Sequence, residues 1–152
     1  MTSAAAKTLT DAGVKVNLGA HGQLQGLGAH WELWSLGQGG MTNLESLQAA
    51  TINGAEYIGA GEDIGSLKVG KMAGLIILDE NPLEDIRHSE SIRYTMVNGR
   101  LYDTETMNEV GNEPKERKEF YWENNRYNEA FPWHEESHSF MRGGCGCSIG
   151  HN

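Results

Sequence analysis

Cysteine is almost missing from this sequence. Only Cys145 and Cys147 occur among its 152 residues, and a single residue separates them. A disulfide between them would close a very strained ring, so we do not expect a structural bridge. Cysteine usage therefore leaves the compartment open between the cytoplasm and the periplasm.

Basic residues and long apolar runs are also scarce. Lysine and arginine number 12 against 21 aspartate and glutamate residues, which gives a net charge of -9. Binding to nucleic acid rewards a basic stripe, so we expect no nucleic-acid partner. No window approaches the run of about 18 apolar residues that a membrane-spanning helix requires. The first 13 residues also lack the apolar segment of a secretory signal, so we expect no membrane partner.

Glycine, in contrast, is abundant, at 20 of 152 residues, about twice its usual share. Residues 2–12 are typical of a helix that ends at Gly13. The alternating pattern of residues 14–18 then predicts a short strand that runs into a glycine-flanked loop at residues 19–22. A further helix is predicted over residues 28–37.

The next segment carries the clearest helix signal. Thr42 followed by Glu45 forms a capping box, in which each side chain satisfies an amide of the first helical turn. Gly59 marks the predicted end of one helix that starts after Thr42. Its predicted apolar stripe comprises Leu44, Leu47, Ile52, Ala55 and Ile58.

Strand signals dominate the following part of the chain. The apolar run 75–78 is typical of a buried strand, and residues 83–88 favour a brief helix. Residues 92–96 alternate in polarity and lead to Asn98-Gly99, a strong signal for a two-residue hairpin turn. From residue 104 the patterns weaken, and we expect an extended or partly helical tail.

Three segments in order, 41–59, 65–79 and 92–102, resemble the metal-dependent amidohydrolase superfamily. The similarity is to the imidazolonepropionase-like and prolidase-like branch, including members fused to a TolB-type propeller. The matching residues include Met41, Thr42, Glu45, Asn53, Gly54 and Gly59 in the first segment, Gly65, Val69, Gly70, Lys71 and Asp79 in the second, and Met96, Asn98, Gly99 and Leu101 in the third.

The resemblance implies an α/β fold built on a (β/α)8 barrel with a small β-sandwich beside it. Residues 1–62 would be the end of the barrel, with its last strand and the following helices. Residues 63–103 would supply the C-terminal strands of the sandwich, and residues 104–152 would form an irregular tail. About seven preceding β/α units would be missing, so we expect a C-terminal fragment of a longer protein.

His21 is the leading catalytic candidate. It stands where the resembled family has the aspartate of a Gly-Thr-Asp turn, which contacts the metal and handles a proton. A histidine can bind zinc or carry a proton near pH 7, so the role could survive in altered form. The alternative is a loop histidine that is hydrogen-bonded to a neighbouring carbonyl.

Other candidates are a substrate-binding pair and a metal site. Gln23 and His30 are predicted substrate contacts, although His30 would also suit packing against a tryptophan. Cys145, Cys147 and His151 offer soft ligands for a metal, with His134 and His138 as further ligands. The alternative for these residues is fortuitous clustering in a glycine-rich tail.

The function that the resemblance implies is hydrolysis of a C–N bond in an amide, a cyclic amide or a dipeptide. A divalent metal, with zinc as first choice, would be held by a His-x-His pair, a lysine and later histidines upstream of this chain. The isolated chain is then expected to be inactive, and homo-oligomerisation stays open. The alternatives are a non-catalytic relative that serves as a binding or scaffold protein, and a self-standing module whose tail binds metal.

Overall fold

The structure is a computed structural model that describes residues 3–21, 24–120 and 123. The described residues up to Glu116 form one compact unit, and those from Arg117 onward belong to a second. All the helices and strands named below lie in the first unit. The observed architecture is a mixed α/β arrangement with a small antiparallel sheet.

Four helices open the chain, namely α1 (Ser3–Asp11), α2 (Leu27–Gln38), α3 (Asn43–Ala49) and α4 (Ile52–Tyr57). The helices predicted over residues 2–12 and 28–37 are confirmed by α1 and α2. No described helix is long and apolar enough to cross a membrane. The capping box is also confirmed, because the Glu45 amide donates to Thr42 Oγ1 at 3.2 Å and the Thr42 amide donates to Glu45 Oε2 at 2.7 Å.

The prediction of one continuous helix from Thr42 to Gly59 is wrong. The helix breaks at Thr51, whose φ and ψ of -131° and -96° lie outside the helical region. Thr51 Oγ1 donates to the Leu47 carbonyl at 2.7 Å, a side-chain bond that competes with the helical backbone pattern. The predicted stripe is confirmed at Ala55, which is buried, and wrong at Leu44 and Ile58, which are exposed. Leu47 and Ile52 are half-buried, and the other buried positions are Ser46 and Ala49.

The strand predicted at residues 14–18 is likewise wrong, because residues 14–20 form neither helix nor strand. Strand ladders need a neighbouring strand, and this segment instead bonds to helices. The Leu18 amide donates to the Ala49 carbonyl at 3.0 Å, and Asn53 Nδ2 donates to the Val16 carbonyl at 3.0 Å. The segment therefore lies on the helices as an irregular connection.

The main hydrophobic core belongs to the helices. Its buried members are Ala6 of α1, Leu36 of α2, Met41 and Ala49, and Val16 and Leu18 pack against them. Residues two apart in the irregular segment thus face the same helical surface. Small residues at the contact allow the helix backbones to approach closely.

The sheet follows the helices and contains β1 (Leu75–Leu78), β2 (Ile92–Val97) and β3 (Arg100–Asp103) in the order β1-β2-β3, with both pairs antiparallel. The strand predicted over residues 75–78 is confirmed, but its predicted burial is wrong, since Ile76 and Ile77 are 50% and 42% exposed. No described element covers them enough to exclude solvent. The brief helix predicted over 83–88 is a 3₁₀ helix, Ile86–Glu90.

The predicted hairpin at Asn98-Gly99 is confirmed. Val97 and Arg100 pair directly, and the two turn residues have φ values of 50° and 80°. A turn with two positive φ values matches the right-handed twist of the strands that it joins.

The two edges of the sheet differ. Residues 108–115, called the strap, fold back on β3, where Glu109 forms bridges with Tyr102 and Lys115. The Val110 amide donates to the Leu101 carbonyl at 2.8 Å, and the Arg100 guanidinium donates to the Glu109 carboxylate. Among the described residues, no strand pairs with the outer edge of β1.

Candidate functional site

His21 lies in a turn at the end of the irregular segment. Its φ of 59° is in the left-handed region, which non-glycine residues seldom adopt and which histidine, asparagine and aspartate tolerate best. The residue is exposed to solvent. The chain therefore bends sharply at His21 and leaves its side chain accessible.

Two successive backbone amides hold the approach to this turn. The Leu18 amide donates to the Ala49 carbonyl at the end of α3, at 3.0 Å. The Gly19 amide then donates to both carboxylate oxygens of Glu32 on α2, at 3.1 and 3.0 Å. Because the two bonds reach different helices, they fix both the position and the direction of the chain just before His21.

The residues that precede the turn divide into two groups. Val16 and Leu18 pack against the helical core. Lys15, in contrast, is exposed and forms an ion pair with Glu56 of α4. This spacing of two residues keeps apolar groups on the helices while the chain leads outward to His21.

His30 takes part in a different group, which we call the Ser89 cluster and which comprises His30, Trp34, Arg87 and Ser89. The Ser89 side chain is almost fully buried. Trp34 Nε1 donates to Ser89 Oγ at 3.0 Å, and His30 Nδ1 lies 3.0 Å from the same oxygen. The His30 and Trp34 rings are 6.2 Å apart, and the Arg87 guanidinium lies 5.1 Å from the Trp34 ring centre.

The hydrogen bonds of the Ser89 cluster orient the ring of His30. An indole N–H can only donate, so Ser89 Oγ accepts from Trp34. His30 Nδ1 lies 3.0 Å from the same oxygen, and which of these two atoms donates depends on the tautomer of the ring. The cluster thus links α2 to the 3₁₀ helix through Nδ1 of His30.

A small cleft opens beside this cluster. Its volume is about 280 Å³, and it is lined by Trp34, Gly37 and Gln38 of α2, by Asn43, and by Glu84, Asp85, Ile86 and Arg87. A larger groove of about 690 Å³ runs along α4 and β1 and is mainly apolar, with Ala55, Ile58, Leu67 and Ile76 among its lining residues. The cleft offers charged and aromatic groups, whereas the groove offers mainly hydrophobic contact.

The 3₁₀ helix carries one histidine, His88, which is surrounded by hydrogen-bond acceptors and carboxylates. The pKa of His88 is raised, chiefly because its ring donates to the Asn81 carbonyl at 3.0 Å, while burial acts in the opposite direction. The carboxylates of Glu80, Asp85 and Glu84 raise the pKa further, and Glu80 lies 3.4 Å from the ring. These contacts stabilise the charged form of His88 beside an acidic turn.

The candidates predicted from the sequence do not form a single constellation. No hydrogen bond or ion pair joins His21 to His30 in the part of the chain that the structure describes. Gln23 lies outside the described residues, and so does the tail group, which comprises Cys145, Cys147 and His151 with His134 and His138. The roles assigned to these residues stay predictions.

Sequence reasoning missed Glu32 and Ser89. Glu32 and Gly19 are 13 residues apart in sequence, and Ser89 and Trp34 are 55 residues apart. Neither has a local motif, because each partner is chosen by how the helices pack. The position of Glu32 close to His30 on α2 was the only available signal.

The described residues do not by themselves form a metal centre. Nowhere among them do three or more histidine, cysteine, aspartate or glutamate side chains lie close enough to hold an ion. His21 could supply at most one ligand to a site completed by groups from elsewhere. The metal predicted from the sequence therefore has no complete set of ligands in this part of the chain.

Comparisons with known proteins bear on the same region. Residues 1–102 match the model of the Amidohydrolase family. An ochratoxinase of Aspergillus niger is 35% identical over 95 residues, which are 60% of this chain and 20% of that protein. An imidazolonepropionase of a Geobacillus species is 52% identical over 42 residues, which are 28% of this chain and 10% of that protein.

A solved structure of similar fold is that of a Xaa-Pro dipeptidase with methionine bound in its active site. It has a TM-score of 0.60 and 29% identity, and the match covers 66% of this chain and 25% of the other. This chain thus spans about a fifth of the ochratoxinase and a quarter of the dipeptidase. The family match covers about two thirds of the chain, and it includes the helices, the His21 turn and the sheet. The chain belongs to the amidohydrolase family.

Proposed function

We propose that this chain forms part of a metal-dependent hydrolase that cleaves a C–N bond in an amide, a cyclic amide or a dipeptide. The observation that carries the proposal is the His21 turn, which is exposed, strongly bent and tied to two helices just upstream. Amidohydrolases are generally metal-dependent, and relatives of this chain include an ochratoxinase, an imidazolonepropionase and a dipeptidase. A small-molecule or peptide substrate is consistent with these names.

The proposed architecture places residues 14–21, which form an irregular connection in this chain, at the position that the last strand of a (β/α)8 barrel would take once neighbouring strands are present. In such barrels the catalytic groups collect where strands end, at the C-terminal face. Val16 and Leu18 already pack on helices, as residues on the outer side of a barrel strand do. Residues 63–103 would then belong to the adjoining sandwich, which fits the partly exposed apolar residues Ile76 and Ile77.

The proposed role of His21 is to accept or deliver a proton at the mouth of the barrel. A divalent metal, when bound, would polarise the substrate carbonyl and supply an activated water. Its ligands would come mainly from outside this chain, since the described residues contain no group of three. The left-handed backbone at His21 suits an aspartate equally well, so an exchange of the two residues leaves the turn intact.

His30 is proposed as a substrate contact through Nε2. Ser89 holds Nδ1 at 3.0 Å, so the ring cannot turn freely and its second nitrogen keeps one direction. A ring nitrogen held in one direction is suited to a polar group of a substrate. Gln23 would add a polar group in the same loop region, as the sequence predicts.

The test uses a protein that joins this chain to the rest of a barrel, supplied with zinc and assayed on amides, cyclic amides and Xaa-Pro dipeptides. His21→Ala is expected to lower kcat by about 10²–10⁴-fold, the usual contribution of a general acid or base. His21→Asp is expected to retain most of the activity. His88→Ala serves as the matched control, because it removes an imidazole that bonds to the Asn81 carbonyl and Glu80 and makes no bond to the His21 turn among the described residues.

The outcomes separate the alternatives. If the His21→Ala and parent enzymes have equal kcat values, His21 has no catalytic role. If the parent protein hydrolyses none of these substrates, the chain belongs to a non-catalytic relative that serves as a binding or scaffold protein. The isolated chain is expected to show no turnover, because its described residues hold no metal site.

A further inference from the structure

Glu32 of α2 binds the backbone just before the His21 turn. Both oxygens of its carboxylate accept from the Gly19 amide, at 3.1 and 3.0 Å. Gly19 stands two residues before His21, at the start of the turn. The bond therefore joins a side chain of α2 to the segment that carries the proposed proton-transfer group.

We propose that Glu32 is a positioning residue that sets the location of His21 by holding the Gly19 amide. A hydrogen bond from an amide to a carboxylate is stronger than one between neutral groups. The adjacent Leu18 amide is held by the Ala49 carbonyl, so the two bonds together restrict the peptide units on either side of Leu18. His21 is then only two residues from a fixed point.

The helix that carries Glu32 is held in place by buried contacts. Glu32 lies on α2 between His30 and Trp34, the two residues that bond to the buried Ser89. Leu33 and Leu36 of the same helix are buried. The carboxylate is thus fixed to a helix with buried contacts on either side of it in sequence, so it can impose a position on the turn.

The space beside Gly19 is open on the side where a Cβ would stand. No heavy atom lies within 4 Å of the place where a Cβ on Gly19 would be. Steric contact therefore leaves the backbone room to move once the carboxylate is removed. Loss of the Glu32 side chain is expected to free the turn without disturbing the core beneath it.

The first experiment measures hydrogen exchange of the Gly19 amide in the full chain by mass spectrometry with residue-level fragmentation. Glu32→Ala is expected to speed this exchange by about 10-fold to 100-fold, as the loss of a charge-assisted hydrogen bond implies. Glu32→Gln keeps one acceptor oxygen and is expected to restore most of the protection. Glu62→Ala is the matched control, because it removes an equal charge from an exposed turn of the same unit.

The second experiment measures kinetics in the protein that joins this chain to the rest of a barrel, and only this part rests on the proposed function. Glu32→Ala is expected to lower kcat about 10-fold to 100-fold, since a small misplacement of a catalytic group is costly. KM should change by less than about threefold, because Glu32 does not touch the substrate. Glu32→Gln should recover kcat, and a purely structural role would not give this split.

Each result decides the matter. Rapid exchange at Gly19 in the parent chain, or equal exchange in the Glu32→Ala variant, would overturn the contact. Lost protection with unchanged kcat would overturn the positioning role while leaving the proposed function in place. A parent protein without hydrolase activity would overturn the proposed function, whereas the exchange data would still decide whether Glu32 holds Gly19.

Discussion

The helical region (residues 3–57) and the sheet region (residues 75–115) are held together in different ways. The helical region has a buried core that comprises Ala6, Leu36, Met41 and Ala49. None of the three strands contains a buried residue, and the sheet rests on its backbone ladder, its hairpin turn and surface charges. The helical region is therefore stabilised mainly by the packing of side chains, whereas the sheet is stabilised mainly by backbone hydrogen bonds and the conformation of its turn.

The most damaging change is expected at Gly65, which follows the helical region in sequence and packs on its last helix, α4. A Cβ there would lie 2.6 Å from the Ala55 Cβ and 3.0 Å from the Ile52 Cα, and the φ of 85° disfavours any side chain. Gly65→Ala should lower the free energy of unfolding by about 2–4 kcal/mol, from overpacking together with backbone strain. Denaturant unfolding measures this change in the free energy of unfolding, and the midpoint should move to a lower denaturant concentration.

Gly54→Ala is the matched control for this substitution. Gly54 lies inside α4, and no heavy atom comes within 4 Å of its would-be Cβ. Alanine should therefore stabilise the chain by about 0.5–1 kcal/mol through its higher helix propensity. If both glycine variants had the same stability, close packing at Gly65 would not be a source of stability.

The next largest effect is expected at Ser89, which ties the helical region to the 3₁₀ helix. Ser89→Ala leaves the Trp34 indole N–H and His30 Nδ1 without their shared partner. A buried group that loses its hydrogen bond costs about 1–3 kcal/mol in the free energy of unfolding. Equilibrium denaturation checks the value, with the exposed Ser66→Ala as control. A variant as stable as its parent would show that the Ser89 cluster adds no net stability.

In the sheet region the sensitive point is the hairpin turn. Gly99 has a φ of 80°, and its would-be Cβ has open space around it, so only backbone conformation opposes a side chain. Gly99→Ala should cost about 1–2 kcal/mol in the free energy of unfolding. Gly74→Ala is the control, because its Cβ also meets open space and its backbone is not left-handed. If the Gly99→Ala and Gly74→Ala variants were equally stable, the conformation of the turn would not be a source of stability for the sheet.

The smallest effect concerns pH and His88. Because its folded-state pKa is raised by the Asn81 carbonyl and by Glu80, the charged ring stabilises the fold. This stability is fully present below the ordinary histidine pKa of about 6.5 and is lost as the pH rises through the higher folded-state value. Melting temperatures measured across that range should therefore fall more in the parent than in His88→Gln. Parallel pH profiles would contradict this role of His88.

The sequence identified the features that depend on neighbouring residues alone. The capping box at Thr42 and the Asn98-Gly99 turn are each formed by atoms within a few residues of one another. Their geometry follows from side-chain chemistry and backbone preference, without help from the rest of the fold. Both were predicted correctly for that reason.

Features that depend on distant partners escaped the sequence. The break at Thr51 is a different case, because its hydroxyl bonds to the Leu47 carbonyl only four residues away, and helix propensity alone does not reveal that bond. Residues 14–18 alternate like a strand, but the partners that they meet in this structure are helices. For the site, His21 was found from the resemblance, whereas the contact of Glu32 with Gly19 required the fold.

Because only one edge of the sheet is covered, a further strand can be added on one side only. The strap closes the side of β3 through Glu109, while the outer edge of β1 has no strand beside it among the described residues. A ribosome makes β1 before β2, β3 and the strap, so the open edge belongs to the strand that emerges first. A strand made still earlier could pair with β1 as soon as it appears, and the strap would then end the sheet on its far side. With the strap in place, the outer edge of β3 would have fewer free backbone groups with which another chain could pair.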